Sequence, residues 1–475
     1  MAAAGDDTHF DEVLEELNGV TIQSTSHSQD ANSLSTHVYI LKSSTIESQV
    51  LSAVKTIRQT VSTINDSDLE TNIAYCINQG VIPFLTSLLE SSNTELCFES
   101  AWVLTNFAST SNSAHTHSLI NAGGLEALFK CMINTTHTNI KDQCCWGLGN
   151  IAGENAQCAE LFLTHDYIKA IASTAHLFIE LDDCIPLSNA TWVMANIFRW
   201  KLFDDLDIYA PLVEVCKKIF SMMSKYMEGG FHSLVESLLW VFCYLGDVFE
   251  QSYPYYLTKE LTFAIGALIH DSNAIISNVA LRFIGNVFSD CCPFITEMVD
   301  DLDLITPLCK ILDPSGPLKK RKEVLWIFSN ILAESAECVN FCFNKGLIPI
   351  IIKYLTHDDH SLFMESGWCV LNTVDLCSYE QLMILAQKSV FGAIIKGLSR
   401  PNIRAVEHSI KILSIFARRL VEVREPVPKE LPILKALFKT AKVMENVKEI
   451  ADGDDIYYNI RNAADEFLVE FASLA

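Results

Sequence analysis

One pattern constrains this chain more than any other. A tryptophan followed four residues later by an asparagine returns at Trp102/Asn106, Trp146/Asn150, Trp192/Asn196, Trp326/Asn330 and Trp368/Asn372. Two altered copies, Trp240/Tyr244 and Arg282/Asn286, keep the interval between them. The chain has seven tryptophans, and only Trp200 stands outside this register. Residues i and i+4 share one face of a helix. The residue two after each marker is apolar in every copy: Leu104, Leu148, Met194, Phe242, Ile284, Phe328 and Val370. The pattern predicts helices that bury one face and show an indole beside a carboxamide on another.

The interval itself predicts the architecture. Asn106 and Asn150 are 44 residues apart, and the other steps are similar. That period fits armadillo or HEAT repeats of two or three helices each. Ile77-Asn78-Gln79-Gly80-Val81-Ile82-Pro83 reads as a helix end, a glycine turn and a new helix with proline in its first turn. The same punctuation returns at Gly123 and Gly346. No alternating strand pattern competes, and 475 residues exceed one ordinary core. The expectation is an all-α, armadillo-repeat, right-handed superhelical solenoid of about ten repeats over residues 44–475. Pro426, Pro428 and Pro432 set off an atypical capping unit at about 434–475. Residues 1–43 carry seven acids and one base, Lys42, and read as an acidic tail without fixed structure. Within it, residues 10–17 could form a short acidic amphipathic helix.

Composition removes several classes of function. A net charge of −24 argues against nucleic acid as a direct ligand and for a basic partner. Sixteen cysteines show no CxxC pair and no zinc-finger spacing. Many, such as Cys144, Cys145 and Cys369, sit in apolar helical patterns and read as small core residues of a reducing compartment. No signal peptide and no membrane-length apolar run is present. His357-Asp358-Asp359-His360 reads as a solvated loop, and Gly147 and Gly149 lie within a helix rather than in a phosphate-binding turn. No Walker motif or nucleophile elbow appears. The expectation is no catalysis, no cofactor, no metal and no membrane association.

What the repeated pair could do follows from its chemistry. Neighbouring indoles would wall slots that suit the apolar stem and cationic head of Lys or Arg. A carboxamide, donor and acceptor at once, could bind both groups of a peptide unit in an extended ligand. Nearby acids would hold the cationic heads.

Phe98-Glu99-Ser100-Ala101-Trp102-Val103-Leu104-Thr105-Asn106, Trp146-Gly147-Leu148-Gly149-Asn150-Ile151-Ala152-Gly153 and Ala280-Leu281-Arg282-Phe283-Ile284-Gly285-Asn286 resemble importin-alpha. Tyr244 in place of Asn and Arg282 in place of Trp match that family's own deviations. The resemblance implies an armadillo solenoid that carries Lys/Arg-rich nuclear localisation signals between cytoplasm and nucleus. It implies a major site at Trp102, Asn106, Gln143, Trp146, Asn150, Glu154, Trp192 and Asn196. It implies a minor site at Asp247, Arg282, Asn286, Glu323, Trp326, Asn330, Glu365, Trp368 and Asn372. Four departures stand out: Thr110 for Gly, a loop about two residues longer before His117, His117 in place of a cargo-touching Thr, and Glu154 for Asp. Ser237 replaces an acid as well. The family's basic importin-beta-binding segment has an acidic counterpart here. The implied partners are therefore basic localisation peptides, an importin-beta-type carrier reached by a non-standard route, and a recycling exportin. The alternative is an armadillo scaffold or holdase for basic proteins without transport activity.

Overall fold

The structure is a computed structural model that describes residues 31–62, 66–387, 390–399, 402–422, 439, 442–452 and 458–471. Among the described residues every regular element is a helix, α or 3-10. The helices fall into two compact units. The first holds residues 1–245 and 251–257, and the second holds 246–250 and 258–475.

Each full repeat is built of one or two helices that lead into a closing helix. In one repeat Asp66–Asn78 leads through Gly80, at φ 69°, into Ile82–Leu88 and then Thr94–Phe107. Gly123 (φ 81°) and Gly346 (φ 78°) turn the chain in the same way. Left-handed backbone favours glycine, so the punctuation was readable in advance. The closing helices of successive repeats include all seven copies of the pair. In the first unit they are α1 (Glu47–Thr60), α2 (Thr94–Phe107), α3 (Thr138–Glu154), α4 (Cys184–Arg199) and α5 (His232–Gly246), the last reaching the unit boundary. In the second they are α6 (Ala274–Ser289), α7 (Leu318–Glu334), α8 (His360–Leu376), α9 (Ile403–Glu422) and α10 (Tyr458–Glu470). Among the described residues, the ten repeat-closing helices α1 to α10 agree with an armadillo solenoid of about ten repeats.

Neighbouring long helices pack in sequence order, α1 through α4 in the first unit and α6 through α10 in the second. Side-chain caps fix the starts of α2, α6 and α8. Asn93 accepts from Glu95 N and Leu96 N, Asn273 from Ile275 N, and Asp359 from Leu362 N. Asp359 N also donates to His357 Nδ1, so the His-Asp-Asp-His loop serves as a helix cap. The residues two after each marker are buried: Leu104, Leu148, Met194, Phe242, Ile284, Phe328 and Val370. Cys144, Cys145 and Cys369 are buried among them. No described helix is long and apolar enough to cross a membrane.

The acidic tail read over residues 1–43 ends earlier than its composition implies. Ala31–Ser43 is a helix whose Leu34, Val38 and Leu41 are buried, and it packs on α1. Those three positions follow helical spacing, and burying them outweighs the polar composition around them. Residues 1–30, including the short helix read at 10–17, lie outside the described residues, as do the prolines 426–432. The unit read at 434–475 is described only in part, through Val443–Ala451 and α10.

Candidate functional site

The expected major-site residues all lie in the first unit, on α2, α3 and α4. The expected minor-site residues all lie in the second, on α6, α7 and α8 with Asp247 just before them. The indoles of Trp102, Trp146, Trp192, Trp326 and Trp368 are half-buried, whereas Trp240 is only 5 % exposed and stacks on Tyr244.

The carboxamides are placed differently from the open surface that the sequence implies. Asn150, Asn196 and Asn286 are buried; Asn106, Asn330 and Asn372 are half-buried. Their amide nitrogens reach back one repeat. Asn150 Nδ2 donates to Thr105 O (3.1 Å), Asn196 Nδ2 to Gly149 O (3.0 Å) and Asn372 Nδ2 to Ser329 O (2.8 Å). In each case the accepting carbonyl belongs to the residue just before the previous repeat's Asn. Asn106 Nδ2 donates to Ser62 Oγ (2.8 Å). The Asn therefore ties adjacent helices together before it meets any ligand. A buried amide must be satisfied, and one of its N–H groups is satisfied here by the neighbouring helix.

Glycine sets how close the rungs come. A Cβ on Gly149 would sit 2.3 Å from Trp192 Cζ3, and one on Gly285 would sit 2.4 Å from Trp326 Cζ3. Both indoles thus lie against bare backbone of the preceding helix. Each of these rungs also leaves polar atoms buried without a partner: Trp192 Nε1 with Asn196 Oδ1, and Trp326 Nε1 with Asn330 Nδ2. Such groups are costly to leave unmade, so these rungs are where a ligand has most to offer.

A pocket of about 430 Å³ in the first unit is lined by Trp192, Trp200, Asn150, Asn196, Glu154 and Thr110, among others. Trp200, the indole outside the register, donates from Nε1 to Ala152 O (2.9 Å) and so is held beside Glu154's helix end. Glu154 Oε2 accepts from Thr116 Oγ1 (3.2 Å). The neighbour of Glu154 is therefore Thr116 and not His117, whose Nδ1 lies 2.7 Å from Ser113 O. A threonine thus stands at the carboxylate.

Other expected contacts are spent inside the chain. Gln143 is buried, and its Nε2 donates to Thr105 Oγ1 (3.0 Å). Arg282 Nη1 pairs with Glu323 Oε1 at 3.4 Å, and its guanidinium lies 5.8 Å from the Trp326 ring centre. Glu365 differs, because burial pushes its carboxyl above the usual range, with Lys322 pulling the other way. Asp247 is half-buried.

One acid on the ladder escaped the sequence reading. Asp142, one turn before Trp146, accepts from Asn189 Nδ2 (2.6 Å). Burial is the main cause that pushes its carboxyl up to about 6, helped by Asp183 and opposed by the Asn189 hydrogen bond. An acid raised in the folded state opposes folding fully above that value, and the cost fades as pH falls from about 6 towards the ordinary value of 3.8. Asp142→Asn should raise the thermal midpoint at pH 7.5, by the equivalent of about 2 kcal/mol, and leave it unchanged near pH 4. Paired melting curves at the two pH values check this.

Comparisons with known proteins bear on the fold and on the chain's relatives. The Armadillo/beta-catenin-like repeat family matches residues 70–109 and 112–153. The chain is 25 % identical over 251 residues to importin subunit alpha-1b of Oryza sativa subsp. japonica, covering 53 % of this chain and 45 % of that protein. It is 24 % identical over 378 residues to importin subunit alpha-5 of Arabidopsis thaliana, covering 79 % of this chain and 69 % of that protein. The chain spans less than half the length of the first curated relatives it matches. Among solved structures, an engineered protein is similar with a TM-score of 0.76 and 17 % identity, over 93 % of this chain and 99 % of that one, and shows the fold alone. Armadillo repeats together with curated importin-alpha relatives at low identity support a divergent importin-alpha family member.

Proposed function

Taking the chain as a divergent importin-alpha family member, we propose that it is a nuclear import adaptor that binds Lys/Arg-rich localisation peptides in extended form along its Trp/Asn ladders. The observation that carries this reading is the run of half-buried indoles on successive helices, Trp102, Trp146 and Trp192, the last of which lines a pocket edged by Glu154. A lysine stem between two indoles places its ammonium over both ring faces, worth about 2 kcal/mol when desolvated. A hydrogen bond from that ammonium to a carboxylate adds about 1.5–3 kcal/mol. Two such slots reach micromolar affinity after the costs of association. The ladder Asn would contribute its second N–H and its Oδ1 to the peptide backbone.

On this reading the chain shuttles between cytoplasm and nucleus with an importin-beta-type carrier and a recycling exportin. A second reading, an armadillo scaffold or holdase for basic proteins without transport, is favoured by Asn150 and Asn196, whose amides already serve the chain's own packing.

Calorimetric titration with a lysine-rich peptide, and with the same peptide carrying norleucine for lysine, tests ligand recognition. The lysine peptide should bind in the micromolar range and weaken about tenfold as ionic strength rises from ~0.05 to ~0.5 M. The norleucine peptide should not bind. Equal affinity for the two would remove the reading. Accumulation in nuclei of a reporter carrying that peptide, dependent on this chain, separates transport from scaffolding.

A further inference from the structure

We propose that Arg58 closes the outer end of the first unit's ladder, so that the chain's own cation fills the slot beyond Trp102 and sets how long a basic run the ladder reads. This rests on the receptor reading above. Counted back by one 44-residue step, Trp102 leads to Arg58 and Asn106 leads to Ser62. Repeat one therefore has its own rung, with an arginine where later repeats have an indole.

The geometry of that rung is that of an occupied slot. The Arg58 guanidinium lies 4.4 Å from the centre of the Trp102 ring. Its Nε donates to Glu99 Oε2 at 2.8 Å, and the two side chains are only 19 % and 10 % exposed. Cation, indole and carboxylate are already matched and largely withdrawn from solvent. A ligand cation arriving on that face of Trp102 would find both its partners taken and a like charge in its place.

The arrangement is not an isolated contact. Arg282, Glu323 and Trp326 repeat it in the second unit, with the same 41- and 44-residue separations. There Lys411 of α9 also lies 4.9 Å from the Trp368 ring centre. In the first unit the other end of the run is closed by Trp240, buried and stacked on Tyr244. The slots left for a ligand in that unit are Trp102/Trp146 and Trp146/Trp192. Arg58 is thus a specificity residue: it limits the ladder to a short cluster of cations.

The test is a set of extended peptides with two, three, four or five consecutive lysines in a Gly/Ala background. They are titrated at about 0.3 M salt, where general charge attraction is screened. The full-length chain is used throughout, with Trp368→Ala to silence the second unit's indole pair. With Arg58 present, affinity should level off once the two slots are filled, with less than about a twofold gain per further lysine. In Arg58→Gln, which frees Glu99 and the Trp102 face, the next lysine should add about fivefold. Arg58→Lys keeps the cation and should keep the plateau. Lys55→Gln removes an equal charge from α1, where Lys55 pairs with Glu95, and should also keep it. The same plateau in Arg58→Gln as in the parent overturns the closure while leaving the receptor reading intact. No binding of any lysine peptide to the parent overturns both.

Discussion

In a chain carrying Trp368→Ala to silence the second unit's ladder, replacing Trp146 and Trp192 together by alanine should weaken a lysine-rich peptide by about a hundredfold or more. The chain should stay folded, with a melting point no more than a few degrees lower. Each indole is half-buried, so part of its face serves packing and part remains for a ligand. Removing Trp146 takes one wall from both slots of the first unit, and removing Trp192 takes the remaining wall of the second. Loss of about 2 kcal/mol per desolvated cation–indole contact gives the expected magnitude. The matched control is Trp240→Phe, because Trp240 is buried against Tyr244 and contributes no slot. Fluorescence anisotropy of a labelled peptide reads the change. A loss smaller than about fivefold in the double variant would place the ligand elsewhere on the chain.

Gly149→Ala should destabilise the first unit and weaken peptide binding together. The new Cβ would lie 2.3 Å from Trp192 Cζ3 and 2.5 Å from Cε3, closer than carbon atoms approach one another. Helix α3 gains slightly in propensity, by less than about 1 kcal/mol. Either the indole or the two helices must then move apart, and overpacking of this kind costs about 1–3 kcal/mol. The movement would also strain the hydrogen bond from Asn196 Nδ2 to Gly149 O, since the same residue supplies that carbonyl. The expected outcome is a lower melting point together with weaker peptide binding. Gly153→Ala should do less, because its nearest neighbour is the Asn196 side chain at 3.0 Å. Thermal denaturation of the two variants, run beside the peptide titration, checks the order.

These two predictions show where the sequence spoke and where it did not. The period, the buried positions two after each marker and the glycine turns all follow from local rules, and they were readable from residue order alone. The grouping of the expected residues into two sets came with the resemblance to importin-alpha and not from the count. The destination of the asparagine amides was not readable, because a carbonyl donates no signal to sequence: any residue could stand at Thr105 or Gly149 and still offer its oxygen. Gly147 and Gly149 were recognised only as glycines inside a helix, and their reason is a neighbour one repeat away. Arg58 lacked both letters of the motif and was missed, although counting back one period from Trp102 and Asn106 reaches Arg58 and Ser62 together. Thr116 was passed over for His117, because which of two adjacent side chains meets Glu154 is set by packing and not by residue order. The helix Ala31–Ser43 was hidden by its serines and threonines, though Leu34, Val38 and Leu41 kept the helical spacing.

The central claim is that successive indoles of the first unit hold the cations of an extended basic chain. The most direct measurement is a crystal structure of the protein with a lysine-rich peptide bound. The account predicts an extended peptide with lysine ammoniums within about 6 Å of the ring centres of Trp146 and Trp192, one of them within hydrogen-bonding reach of Glu154. A peptide lying on another face, with those two indoles untouched and the pocket beside Glu154 empty, would contradict it.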